Sequence, residues 1–334
     1  MSDGVVRWGV LSTANINNKV VPATRAAARC EVVAIGSRDR TNAEAAASGF
    51  GIARAYGSYE EVLADPEVDA VYNPLPNDLH EPWTIAAARA GKHVLCEKPL
   101  AMSAEEAERM IEACETEGVL LMEAFMYRLH PTWAKVRELV EGGRIGELRA
   151  VQSWFSYFND DPTNIRNIPA SGGGALYDIG CYSVNLSRML FGAEPVRVQG
   201  SVHRDPATGV DVLTSGVLEF PAGVATFTCS TRAEPDQRVH VYGTEGRISI
   251  EIPFNIPLDR TTRVFVTAGG DPPSAPDTEV LTFEPANAYA IQAERFADAI
   301  LDETPVPIPP ADAVANLRVI QELFRVGGQR ASRS

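Results

Sequence analysis

Short apolar runs separated by longer amphipathic stretches fill the first third of the chain. The runs Val5–Leu11 (VVRWGVL), Glu31–Ser37 (EVVAIGS), Val68–Pro74 (VDAVYNP), His93–Glu97 (HVLCE) and Gly118–Glu123 (GVLLME) are nearly continuous in apolar residues. That is the pattern of strands buried on both faces. Between them, LHEPWTIAAARAG and SAEEAERMIEACETEG carry helical spacing, the second opening on a capping box of Ser103 and Glu106. Such alternation predicts a parallel sheet wound by right-handed crossovers.

The texture changes after about residue 124. A helix, HPTWAKVRELVEGG, leads into long strand-like runs joined by Gly-containing turns: ELRAVQSWFSYF, VLTSGVLEF-PAG-VATFTCSTR and RVHVYG-TEG-RISIEI. These read as antiparallel hairpins. One helix interrupts them, GGALYDIGCYSVNLSRML, and helical segments near 287–302 and 311–325 close the chain. The stretch Ala268–Glu279 reads as a polar, Pro-rich surface loop. The predicted fold is an α/β doubly wound domain over 1–123, followed over 124–334 by an α+β domain with an open, mainly antiparallel sheet.

A length of 334 residues agrees with two domains. The net charge of −14 argues against nucleic acid or an anionic membrane as partner, because phosphate binding needs a basic surface. The N-terminus lacks a signal-peptide pattern, and no apolar stretch approaches a membrane span. Cys30, Cys96, Cys114, Cys181 and Cys229 form no C-x-x-C pair, which favours reduced thiols in the cytoplasm. His93, His130, His203 and His240 have no ligand spacing, so no metal site is predicted.

Candidate chemistry begins where the first strand meets GVLSTANIN. A dinucleotide fingerprint laid on Gly9, Leu11 and Ala14 keeps only the first glycine and a small third residue. Ser12, Thr13 and Ala14 are small enough for backbone N–H groups at a helix start to meet a pyrophosphate. At the tip of the second strand, Ser37 and Arg38 stand where a binder of unphosphorylated ribose places an acid. A hydroxyl and a guanidinium suit a 2′-phosphate, which favours NADP over NAD. Asp39 is one step further on, entering the next helix.

Lysine is scarce: Lys19, Lys92, Lys98 and Lys135 are all there is. Lys98 leaves the carboxyl end of a parallel strand, where open α/β sheets bind ligands, and Pro99 stiffens the backbone behind it. Its ammonium is placed to stabilise charge on a substrate oxygen. In SGGGALYDIGCY, Asp178 and Tyr182 are four apart and share a helical face, a candidate acid/base pair beside a substrate hydroxyl. Trp154, Phe155 and Tyr157 either pack beneath a sugar or belong to core or interface.

The segments EKPLA, EAFMYRLHP, NIR, GGGALYDIGCY and GVLSTANI resemble the glucose–fructose oxidoreductase/inositol dehydrogenase (Gfo/Idh/MocA) family over nearly the full length. The resemblance implies an N-terminal Rossmann domain, a nicotinamide cofactor and an open-sheet C-terminal domain used to form a homodimer or homotetramer. It makes Lys98 the catalytic lysine and Asp178 the helix aspartate. Where many members carry histidine, this chain has Tyr182. That resembles the subgroup of glucose–fructose oxidoreductase, dimeric dihydrodiol dehydrogenase, NADP-dependent xylose dehydrogenases and some sugar ketoreductases. Cofactor contacts implied by the resemblance include Asn15 and Ile16 in the first turn, Leu75, Asn77 and His80, and Glu97, Arg128 and Tyr289. Arg166 of NIR is implied at substrate or nucleotide, and the Lys98–Pro99 bond is implied to be cis. The expected activity is NADP-dependent interconversion of alcohol and carbonyl on a sugar or polyol, at aldose C1, with Tyr182 as proton donor. A trans-dihydrodiol or keto-sugar substrate is the alternative, and a non-catalytic nucleotide-sensing regulator is the rival from another class.

Overall fold

The computed structural model describes residues 4–268, 270, 274–275 and 277–328. Part of the loop expected at Ala268–Glu279 lies outside them. The chain forms two compact units, Met1–Met126 with Asn287–Val314, and Tyr127–Ala286 with Ala315–Ser334.

The first unit contains β1 (Val6–Leu11), α1 (Asn17–Ala26), β2 (Cys30–Gly36), α2 (Arg40–Phe50), β3 (Arg54–Tyr56), α3 (Tyr59–Ala64) and β4 (Ala70–Asn73). It continues with α4 (His80–Arg89), β5 (His93–Cys96), α5 (Ala104–Thr116) and β6 (Leu121–Glu123). Among the described residues these strands make one six-stranded sheet in the order β3-β2-β1-β4-β5-β6, parallel throughout. The order reverses between β1 and β4, the switch point that opens a crevice at the carboxyl ends of the strands. Trp8, Leu11, Ile35, Tyr72 and Leu95 are fully buried in this sheet. At the start of α5 the Ser103 hydroxyl accepts from the Glu106 N–H, while the Glu106 carboxylate accepts from Met102. The expected capping box is thus present with its return bond one residue earlier.

The second unit contains α6 (Pro131–Glu141), β7 (Leu148–Phe158), α7 (Cys181–Phe191), β8 (Arg197–Arg204), β9 (Asp211–Phe220), β10 (Gly223–Ser230) and β11 (Arg232–Gly243). After them come β12 (Gly246–Ile250), β13 (Thr262–Ala268) and β14 (Glu279–Phe283). Among the described residues they make an eight-stranded sheet, β14-β13-β12-β11-β7-β10-β9-β8. Only β7 and β10 pair in parallel; the other pairs are antiparallel. The expected hairpins are β9–β10 and β11–β12.

Two helices follow, α8 (Ala288–Leu301) and α9 (Ala311–Gly327). A single break near residue 123 would leave α8 in the second part, but its packing puts it in the first. Phe296 lies 5.7 Å from the Trp8 ring, and Arg29 pairs with Asp298 and Asp302. Burying Phe296 is worth about 1.5–3 kcal/mol, whereas the partly exposed ion pairs are screened by water and add less. No described helix is long and apolar enough to cross a membrane.

Candidate active-site residues

In the first unit the candidate cofactor residues follow the carboxyl ends of neighbouring parallel strands. The turn after β1 starts at Ser12, which holds φ at 101°, a region that favours glycine. The Ser12 N–H donates to the Gly36 carbonyl at 2.9 Å, and the buried Asn17 amide donates to the Ser12 carbonyl at 2.8 Å. The Ala14 N–H donates to the Ser12 hydroxyl at 3.3 Å. The turn therefore lies at Ser12–Asn17, three residues beyond a register that starts on Gly9. Gly9 itself lies inside β1, where a Cβ would come 2.7 Å from Val62 of α3. Close packing of helix on strand accounts for that glycine. Thr13, Asn15 and Ile16 complete the turn before α1.

At the tip of β2 the Ser37 hydroxyl accepts from the Asp39 N–H at 3.3 Å, and Asp39 in turn caps α2 through the Asn42 N–H. Arg38 is exposed. Its guanidinium stands by the Tyr59 hydroxyl and opposes the upward push that burial gives that phenol.

Lys98 is half-buried and joined to Pro99 by a cis peptide bond. The chain on both sides of it is fixed. Glu97 donates its N–H to Asn73 at 3.0 Å, and Leu100 donates to the Glu123 carboxylate at 2.8 Å. The Tyr72 hydroxyl donates to Glu97 at 2.6 Å; burial and then the Glu97 charge push this phenol well above its ordinary range. Tyr289 is pushed up by burial and Glu97 in the same order. His80 is fully buried, with Nδ1 2.9 Å from the Pro99 carbonyl and Nε2 2.8 Å from the Leu75 carbonyl. A neutral imidazole donates through one nitrogen only, and burial holds the His80 pKa below its ordinary value against these acceptors. The ring therefore acts as a strut between Leu75 and the Lys98–Pro99 turn. Asn77 opens a short 3₁₀ turn ahead of α4.

In the second unit the expected uninterrupted helix starts as a π-turn, Leu176–Gly180, which then feeds α7. Such wide turns recur at functional sites. Asp178 lies in it. The Tyr157 hydroxyl donates to Asp178 Oδ2 at 2.5 Å, and the Arg166 Nε donates to the same oxygen at 2.9 Å. Burial, then the Asp178 charge, drives the Tyr157 phenol far above its ordinary range. Arg166 remains largely exposed while Asp178 is mostly covered. The Tyr182 ring packs among Tyr127, Phe155 and Phe254, with centroids 5.3–5.7 Å away, and is 6% exposed. A ring held in the core is a rigid mount for its hydroxyl. Arg128 belongs to this unit, on a 3₁₀ turn before α6.

Sequence reasoning missed Tyr72, and it had Tyr157 as a sugar-packing or core ring rather than as the partner of Asp178. For Tyr157 the alternation of β7 held a clue, since Phe155 and Tyr157 share one face and Phe155 meets Tyr182. Among the described residues, no group of three or more His, Cys, Asp or Glu is arranged to hold a metal.

Residues 6–125 match the oxidoreductase family with an NAD-binding Rossmann fold, and residues 133–249 match the GFO/IDH/MocA C-terminal domain. An uncharacterized oxidoreductase of Rhizobium meliloti is 46% identical over 323 residues, covering 96% of each chain. The D-xylose 1-dehydrogenase (NADP(+)) 2 of Haloferax volcanii is 41% identical over 323 residues, covering 95% of this chain and 96% of its own. Among solved structures, a 3-ketoreductase from Actinomadura kijaniata in complex with NADP and TDP-benzene matches with a TM-score of 0.89 at 30% identity. That match covers 97% of this chain and 98% of the ketoreductase. With both halves matched and relatives aligned almost end to end, the chain belongs to the Gfo/Idh/MocA family of oxidoreductases.

Proposed function

We propose that this chain is an NADP(H)-dependent oxidoreductase that interconverts alcohol and carbonyl at C1 of an aldose. The near full-length similarity to a D-xylose 1-dehydrogenase carries the reading. The residues present fit the cofactor. The tight turn at Ser12–Ile16 would hold a pyrophosphate at the start of α1. Ser37 and Arg38 would hold a 2′-phosphate, with Asp39 committed to capping α2. Leu75, Asn77, Glu97, Arg128 and Tyr289 are assigned to the nicotinamide side, and His80 supports them from beneath.

The bound nicotinamide supplies or accepts the hydride. In the reducing direction, Tyr182 gives its hydroxyl proton to the substrate oxygen. Lys98 donates to the same oxygen and offsets its developing charge. Asp178, fixed by Tyr157 and Arg166, orients the proton donor, and Arg166 faces substrate hydroxyls. In the oxidising direction Tyr182 takes the proton back.

Reduction of a keto-sugar is the second reading, favoured by the similarity to the 3-ketoreductase. The same proposal makes the protein a cytoplasmic homodimer or homotetramer paired through the second sheet. Steady-state turnover with NADP⁺ against a panel of aldoses and polyols, and with NADPH against keto-sugars, tests the reading. Oxidation of D-xylose or a related aldose supports it. NADPH-linked reduction of keto-sugars alone would select the second reading. Binding of NADPH without turnover of any sugar would overturn both and leave a nucleotide-sensing regulator.

A further inference from the structure

Asp211, the first residue of β9, is 1% exposed. Its Oδ2 accepts from the Leu176 N–H at 2.7 Å and from the Thr214 hydroxyl at 3.0 Å. Leu176 is the first residue of the π-turn that contains Asp178. Oδ1 has no hydrogen-bond partner and lies 2.0 Å from where a Cβ on residue 174 would stand. Residue 174 is glycine, at φ 127°, where side chains are strained. The carboxylate thus occupies the space that the glycine leaves.

The same short segment carries both polar partners of the site. The Gly174 N–H donates to the Arg166 carbonyl at 2.9 Å, and the Gly174 carbonyl accepts from the Asp178 N–H at 3.1 Å. A displacement of Gly174 or Leu176 therefore moves Arg166 and Asp178 together. Burying a carboxylate is costly, and burial raises the Asp211 pKa, with the Leu176 and Thr214 hydrogen bonds and the Arg204 charge opposing it. An apolar residue would fill the start of an inward-facing strand at lower cost. What Asp211 holds explains its presence.

We propose that Asp211 is a positioning residue for the reaction: by anchoring Leu176 and excluding any side chain at 174, it sets the π-turn that presents Asp178. The inference rests on the assignment of Asp178 to the catalytic set.

A double-mutant cycle on the full-length protein tests it. Asp211→Asn keeps the shape and one oxygen for Leu176 but replaces Oδ1 with an amide. It is expected to lower kcat while KM and NADPH affinity hold. In an Asp178→Asn background the same change should have little further effect, giving a coupling of at least about fivefold in kcat. Thr214→Val, which removes the second donor to Oδ2, should show a weaker coupling of the same sense and serves if Asp211→Asn does not fold. Equal fold-losses in both backgrounds, or a wild-type kcat for both Asp211→Asn and Thr214→Val, would overturn the proposal. If Asp178→Asn alone leaves kcat unchanged, the catalytic assignment itself fails, and the proposal with it.

Discussion

In the first unit a tyrosine on β4, Tyr72, donates to Glu97 at the end of β5; in the second, Tyr157 on β7 donates to Asp178 in a π-turn. The chemistry is the same, a phenol held against a carboxylate, but the construction differs. β4 and β5 are adjacent parallel strands with Tyr72 beside Leu95, so sheet register alone brings Tyr72 next to Glu97. Tyr157 and Asp178 are joined by a long irregular segment containing short 3₁₀ turns. Their meeting depends on contacts that register does not supply, including Arg166 and the carboxylate of Asp211. A parallel sheet generates its site by repetition, whereas the mixed sheet assembles one from unrelated pieces. The second site should therefore be the more fragile.

The largest effect in the first unit is expected at the lysine. Lys98→Met should lower kcat by about 10²–10³, the scale for losing a group that stabilises charge in the transition state. Thermal unfolding of the variant, measured alongside, separates a loss of chemistry from a loss of fold. A variant as fast as wild type would remove Lys98 from the mechanism.

Next in size is Arg38→Ala, which should weaken NADPH binding by about 1.5–3 kcal/mol, the range for a hydrogen bond to a charged group. NADH binding should change much less. Equal losses for the two nucleotides, read by fluorescence titration, would remove the phosphate assignment.

The paired tyrosines put the comparison itself at risk. Tyr72→Phe withdraws a fully buried donor and should cost about 1–3 kcal/mol of stability in urea unfolding. Tyr157→Phe should cost less stability but lower kcat about tenfold, equivalent to a modest charged hydrogen bond. Matching stability losses with no change in kcat would show that both tyrosines are only structural.

The smallest effect concerns acid. Burial holds the His80 pKa below its ordinary value of about 6.5. The unfolded chain then takes up a proton that the folded chain resists, so stability is full above that value and falls as pH drops towards the folded pKa. His93, His130 and His240 are lowered by burial as well and act in the same direction. His80→Gln should reduce the slope of unfolding free energy against pH in this window by up to about 1.4 kcal/mol per pH unit, one proton's share. An unchanged slope would mean that His80 binds its proton in the folded protein as readily as in the unfolded chain.

Much of this was legible from the sequence. Continuous apolar runs located β1, β2, β4, β5 and β6, because strands buried on both faces leave no other pattern. β3 escaped, being three residues long with no apolar run. Lys98 stood out because strand ends in parallel sheets are where ligands bind, and the rule needs only the strand. The turn after β1 could not be placed without the backbone, since Ser12 rather than a glycine holds the positive φ and Gly9 packs against α3. Asp178 was legible as an acid sharing a helical face with Tyr182, but the parts that Tyr157 and Asp211 play around it were not. Their roles depend on through-space meetings with a π-turn, and helical spacing carries no sign of that turn.

Tyr182→Phe bears hardest on Tyr182 as proton donor, because it removes one hydroxyl and leaves the ring packed among Tyr127, Phe155 and Phe254. The decisive measurement is single-turnover reduction of the best substrate by bound NADPH, with a deuterium isotope effect to show that hydride transfer is being timed. The rate should fall by about 10²–10⁴, the range for a lost positioned acid, with NADPH affinity nearly unchanged. A rate equal to wild type, with the isotope effect still expressed, would contradict that role.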